Sequence, residues 1–155
     1  MDSKKERYTR LIAQMEGILS KTNDPIARMA TSAALIKGKF PHFFWVGFYR
    51  LIGEDLIVGP YQGSLACQIL ARHTGVCWAA IDRNETIIVP DVTKFPGHIA
   101  CDSRSKSEIA VPVPDGQGKV AAVLDGDATT LDAFDDDDRY GLERIAMLIY
   151  PPTNE

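Results

Sequence analysis

The chain has 155 residues, of which 45% are hydrophobic and 25% charged, the proportions of one globular domain and not of a disordered or fibrous chain. Seventeen basic residues against 21 acidic ones leave a net charge of −4 with no Lys/Arg block, so nucleic acid is not an expected partner. No apolar run approaches the ~18 residues of a membrane span. The charged opening Met1–Arg10 also lacks the apolar region of a secretory signal, and a cytoplasmic protein without membrane contact is expected. Three cysteines are too few, and odd in number, for a disulfide framework, which leaves reactive or simply buried thiols.

Residues 4–19 set Leu11, Ile12, Met15, Ile18 and Leu19 at helical spacing on a charged background, predicting an amphipathic helix. Asp24-Pro25 is an N-cap followed by proline at the first helical position, and a second helix runs from there to Gly38. From His42 the pattern turns to strands: 43–51 and 56–61 flank the turn Gly53-Glu54-Asp55 as a hairpin. Residues 62–74 show little periodicity and predict an exposed loop, followed by a short helix over 76–82 and a brief strand over 86–89. An irregular stretch, 91–106, precedes two strands, 108–113 and 119–127, around a turn at Asp115-Gly116. Asp135–Asp138 open a last helix with Leu142, Ile145, Ala146 and Ile149 on one face, and this acidic run is explained by the helix macrodipole. Hairpins without a βαβ crossover predict an α+β domain on a largely antiparallel sheet, whose two long loops mark where function would sit.

Cys67, Cys77 and Cys101 fall in or beside those loops, each a small buried hydrophobe or a reactive thiol. After Cys101, Arg104 or Lys106 would favour the thiolate. Separations of ten and twenty-four positions lack the paired spacing of a zinc site, and no metal is expected. Asp125 and Asp127, two apart on a strand, share one sheet face, and Glu108 opens the strand expected to pair with them. These are either solvated strand-end charges or three converging carboxylates, in which case crowding keeps at least one protonated near neutral pH. Asp125-Gly126-Asp127 also begins like a calcium loop, but Thr130 and Asp136 stand where such a loop needs glycine and glutamate. Trp45, Gly47 and Tyr49 share a face, as core packing or, through Gly47, with room for a ligand against the sheet.

The stretches Gly59-Pro60-Tyr61-Gln62-Gly63, Ala66-Cys67, Gly75-Val76-Cys77, Phe95-Pro96-Gly97-His98-Ile99-Ala100-Cys101-Asp102-Ser103, Ser107-Glu108-Ile109 and Val123-Leu124-Asp125-Gly126-Asp127 resemble the free methionine-(R)-sulfoxide reductases. These are stand-alone GAF-domain enzymes that act on the free amino acid. The resemblance covers nearly the whole chain, and all three cysteines stand at the family's spacing. It implies a single GAF domain over residues 1–155: paired N-terminal helices over about 4–38, sheet and pocket loops over about 42–127, and a C-terminal helix over about 135–149. The implied fold is an antiparallel sheet of about six strands with helices on one face and the ligand pocket on the other.

By the same resemblance Cys101 matches the catalytic nucleophile, Cys67 the main resolving thiol and Cys77 an auxiliary partner. Glu108, Asp125 and Asp127 match the carboxylates that hold the substrate and polarise its S–O bond, and Trp45 and Tyr49 match an aromatic wall around its methyl group. Reduction would pass through a Cys101 sulfenic acid and an intramolecular disulfide recycled by thioredoxin or a similar dithiol, without metal or organic cofactor. A homodimer is also implied. Two positions depart from the pattern: Trp78-Ala79-Ala80 replaces Gly-Thr-Ala after the middle cysteine, and Gly126 stands where isoleucine is usual. The tryptophan would sit beside the pocket and alter access to it or the movement of Cys77. The competing readings are a non-catalytic GAF sensor of a small molecule and a redox-switch module using the same disulfide.

Overall fold

The structure is a computed structural model that describes residues 2–98 and 100–152; Ile99 of the motif around Cys101, and the two ends of the 1–155 span, lie outside the described residues. Helices α1 (Lys4–Leu19) and α2 (Pro25–Lys39) precede a hairpin of β1 (Trp45–Ile52) and β2 (Asp55–Gln62). Then follow β3 (Ile69–Leu70), α3 (Gly75–Arg83), β4 (Ile87–Val89), a 3₁₀ turn at Val92–Lys94, β5 (Ser107–Pro114), β6 (Val120–Ala128) and α4 (Asp136–Ala146). Local chemistry sets the helix starts. The Ser3 hydroxyl accepts from Glu6 N–H, Asp24 from Ile26 N–H ahead of Pro25, and Asp135 forms a capping box with Asp138.

All strand pairs are antiparallel, in the order β3-β2-β1-β6-β5-β4, so the first long strand lies beside the last at the centre of the sheet. The period-two alternation divides the side chains between two layers. Val46, Phe48, Ile109, Val111, Leu124 and Ala128 pack against α1, α2 and α4, where Met15, Met29, Ile36, Leu142 and Ile145 are fully buried. Each such side chain contributes about 1.5–3 kcal/mol through removal from water. Trp45, Tyr49, Ala110 and Val123 face the other way, toward α3 and its Val76, Cys77 and Trp78. No described helix is long and apolar enough to cross a membrane.

Three local expectations are corrected. The 62–74 segment is not a bare loop, because Ile69 and Leu70 pair with Ile57 and Leu56 as a short edge strand. The last helix ends at Ala146, while Ile149 beyond it is still fully buried. Asp138 does more than complement a helix dipole. Fully buried, it accepts from Tyr8 Oη at 2.7 Å and Lys4 Nζ at 2.8 Å and pairs with His42 Nε2 at 2.8 Å, joining α1, α4 and the approach to β1.

Gly126 has a packing reason. A Cβ built there would lie 2.6 Å from the Phe43 ring and 3.2 Å from Ile109, on the helix side of the sheet and away from the two aspartates. Phe43 occupies the volume that a branched side chain at 126 would claim.

Candidate active site

The β1–β6–β5 register builds the site in rows. Trp45, Asp127 and Glu108 are cross-strand neighbours; the next row on that face is Gly47, Asp125 and Ala110; the third is Tyr49, Val123 and Pro112. These rows form the floor of a cavity, which α3 covers from above with Val76 and Cys77. The resulting cavity of about 240 Å³ is lined by Trp45, Tyr49, Cys67, Cys77, His98, Cys101, Glu108, Asp125 and Asp127 together with loop residues. All eight residues singled out from the sequence therefore meet in one cavity. No Lys or Arg is among its described lining residues.

Two loops close the cavity, one following β2 and one preceding β5. They are joined by a disulfide between Cys67 and Cys101, with Cα atoms 5.5 Å apart. Ser64 Oγ donates to Asp102 Oδ2 at 2.8 Å across the same junction, and Trp45 Nε1 donates to the Ser64 carbonyl at 3.1 Å. Cys77 is the free thiol, buried, with its Sγ 3.9 Å from Glu108 Oε2.

The electrostatics follow from burial without a countercharge. Glu108 is 6% exposed and Asp125 4%. Removal from water is the main reason Glu108 stays protonated above the usual carboxyl range, against hydrogen bonding from Asp125 and the influence of His98 and Cys77. Asp125 and Asp127 are driven well above that range, first by desolvation and then by neighbouring charge: Asp127, Cys77 and Glu108 act on Asp125, and Glu108 acts on Asp127. Burial, with Glu108 and Asp127 nearby, likewise pushes the Cys77 thiol up. Asp125 Oδ1 is buried with no hydrogen-bond partner among the described residues, as is His98 Nε2. The cavity therefore offers protons and unfilled polar atoms to a small guest.

Some expectations change with these contacts. Arg104 is not a free cation beside Cys101: Asp102 grips it at 3.0 and 2.7 Å, and its guanidinium stacks 4.8 Å from the Phe44 ring centroid. That grip holds the Asp102 carboxyl well below its usual range. Gly47 does not open space for a ligand either. A Cβ there would meet Tyr61 at 2.2 Å and Trp45 at 2.9 Å, and those two rings stack at 5.2 Å. Tyr61 thus backs the aromatic wall, a role visible only once β2 is paired with β1. Trp78 does not line the cavity but stands beside it as expected, donating Nε1 to the carbonyl of the lining residue Leu70 at 3.4 Å and packing on His73 at 4.5 Å. Sequence reasoning missed Ser64 and gave no role of their own to His98 and Asp102, which entered only within the stretch around Cys101 that carries the resemblance. The residue-level signal for them was their placement in the same loops as Cys67 and Cys101.

No protein-family model matches the chain. It is 46% identical over 148 residues to GAF domain-containing protein A of Dictyostelium discoideum, covering 95% of this chain and 92% of that protein. A solved GAF domain matches it with a TM-score of 0.90 at 38% identity, over 95% of this chain and 87% of that one. Fold and site define a GAF domain with a disulfide in the wall of its cavity. The free methionine-R-sulfoxide reductase of Saccharomyces cerevisiae is 38% identical over 154 residues, covering 95% of this chain and 86% of the yeast protein. That of Neisseria meningitidis, solved in complex with its substrate, has a TM-score of 0.90 at 36% identity, over 96% and 89% of the two chains. This chain belongs to the free methionine-R-sulfoxide reductase family.

Proposed function

We propose that this protein reduces free L-methionine-(R)-sulfoxide to methionine, with Cys101 as nucleophile and Cys67 as resolving thiol. The observation that carries the reading is the Cys67–Cys101 disulfide set in the wall of a cavity that also contains Glu108, Asp125 and Asp127. A sulfoxide oxygen leaves poorly, and a carboxyl group kept neutral by burial protonates it as the Cys101 thiolate attacks sulfur. Glu108 is the assigned donor, with Asp127 beside it. Trp45 and Tyr49 enclose the methyl group, and the unpartnered Asp125 Oδ1 receives the substrate ammonium. The substrate S–O bond breaks as the oxygen passes to the Cys101 sulfur, so methionine departs reduced and Cys101 is left oxidised as a sulfenic acid. The Cys67 thiol condenses with it, releasing water and forming the disulfide. A dithiol of the thioredoxin class then returns both cysteines to thiols and is itself oxidised.

Cys77, buried and neutral, stands in reserve as an auxiliary thiol. We place the protein in the cytoplasm, where thiols are kept reduced, and propose a homodimer, supported by the half-exposed Ile18 on α1; light scattering tests the latter. The activity is tested by giving the reduced protein free methionine-R-sulfoxide with thioredoxin and thioredoxin reductase. NADPH consumption with one methionine formed per NADPH is expected. Disulfide formation without methionine release would make the protein a redox switch, and neither event would make it a sensor.

A further inference from the structure

We propose that Cys77, Glu108 and Asp125 form a binding site for one thiophilic divalent cation of the zinc class, and that occupancy of this site excludes substrate. One ligand atom from each of the three residues lies within 4.8 Å of the other two, and all three residues are buried. Asp125 is 4% exposed and its Oδ1 has no partner among the described residues, so the group is short of one positive or donating neighbour. Linear spacing could not reveal the set. Cys77 comes from α3, Glu108 from β5 and Asp125 from β6, and only the cross-sheet packing joins them.

The donor set selects the ion. One sulfur and two carboxylate oxygens suit a borderline-soft tetrahedral cation, with the fourth position open to water from the cavity. Calcium and magnesium want six or more oxygens and gain nothing from a thiol. Tetrahedral bonds of ~2.3 Å to sulfur and ~2.0 Å to oxygen set ligand atoms about 3.5 Å apart. The Sγ–Oε2 separation of 3.9 Å is close to that already, and side-chain rotation closes the rest. A dication also supplies the charge that the cavity lacks, since no Lys or Arg is among its described lining residues. A metal held there takes up Glu108 and Asp125, the groups assigned above to the sulfoxide oxygen and the substrate ammonium. The exclusion of substrate rests on that assignment; the metal site itself does not.

The disulfide form isolates the test, because Cys77 is then the free thiol. Cobalt(II) chloride titrated into the oxidised protein is expected to give near-ultraviolet thiolate-to-cobalt absorption that saturates at one cobalt per chain. Cys77→Ser should abolish the band, and Glu108→Gln should raise the cobalt dissociation constant at least tenfold. No such band in the wild type, or the same band in Cys77→Ser, overturns the site. For exclusion, zinc sulfate should slow single-turnover methionine release by the pre-reduced wild type at least tenfold, and by Cys77→Ser less than twofold. Equal slowing of both overturns exclusion. Absence of methionine release without zinc would count against the proposed function and leave the cobalt result standing.

Discussion

Glu108 on β5 and Asp127 on β6 stand directly opposite one another, two acidic side chains paired across the sheet on the cavity face. Like charges in that relation weaken a sheet, and desolvation, by keeping these groups protonated, removes most of the repulsion. The pair is tolerated because Glu108 is buried and Asp127 half-buried beside it. The same burial leaves it able to donate a proton. Glu108→Gln keeps the shape and removes that ability, so methionine formation in rapid-quench experiments should fall ~10²-fold or more. Its thermal midpoint should hold or rise, as one member of the acidic pair is gone. An unchanged rate with a lowered midpoint would reverse both assignments.

The two bridged cysteines should separate by turnover. Cys101→Ser should release no methionine even in a single turnover, because it lacks the attacking thiolate. Cys67→Ser should release about one methionine per site and then stall with thioredoxin. Mass spectrometry of the stalled protein would reveal a Cys101 sulfenic acid or, through slower chemistry, a Cys77–Cys101 bridge.

Substrates with a blocked amino group should fail. N-acetylation removes the ammonium that would fill Asp125 Oδ1, and leaves a buried carboxyl group unpaired. Free methionine-R-sulfoxide should exceed its N-acetyl derivative by at least ~10²-fold in kcat/KM. The S epimer, which carries oxygen and methyl exchanged between the acids and the aromatic wall, should be inert. Comparable rates on the blocked substrate would mean that Asp125 has another role.

Phe43 and position 126 share one volume, with the ring 2.6 Å from where a Cβ would stand. Gly126→Ile alone should destabilise the protein by about 1–3 kcal/mol through overpacking. Phe43→Ala alone leaves a cavity, at about 3–5 kcal/mol. The double variant should be more stable than the sum predicts, and denaturant unfolding of the four proteins gives that coupling directly.

Stability at acid pH should follow Asp138. Burial opposes its ionisation, but hydrogen bonds with His42, Lys4 and Tyr8 prevail and hold it well below the usual carboxyl range. A carboxyl depressed on folding stabilises the native state fully above its unfolded value of ~4 and loses that contribution as pH falls below it. Asp138→Asn should therefore cost about 2 kcal/mol at pH 7. The difference from wild type should shrink between pH 4 and pH 2, as measured by urea unfolding. A constant difference across that range would mean that packing, not charge, is what Asp138 supplies.

Helix starts and strand alternation were legible in the residues because their causes are local. A serine or aspartate oxygen reaches its own helix's N–H groups, and a period of two assigns sheet faces before any partner strand is known. Asp125, Asp127, Trp45 and Tyr49 could be placed on a face in this way, and Glu108 at a strand start. The family resemblance added roles for them and for the three cysteines. The short edge strand at Ile69–Leu70 was not legible, since two residues carry no periodicity and pair only because β2 is already in place.

What tertiary structure alone decided is which of these groups touch. β1 and β6 lie at opposite ends of the sheet-forming sequence, and their pairing brings Trp45 to Asp127 and Gly47 to Asp125. The pairing of β2 with β1 fills the space beside Gly47 with Tyr61. The packing of α3 over β5 and β6 joins Cys77 to Glu108 and Asp125, a set that no spacing along the chain could announce. The charge of Arg104 is visible in the sequence, but its neutralisation by Asp102 depends on how the loop folds. Residue types are local properties. Desolvation, proton affinity and cation preference arise from what surrounds each group, and here those surroundings come from elements distant in the chain.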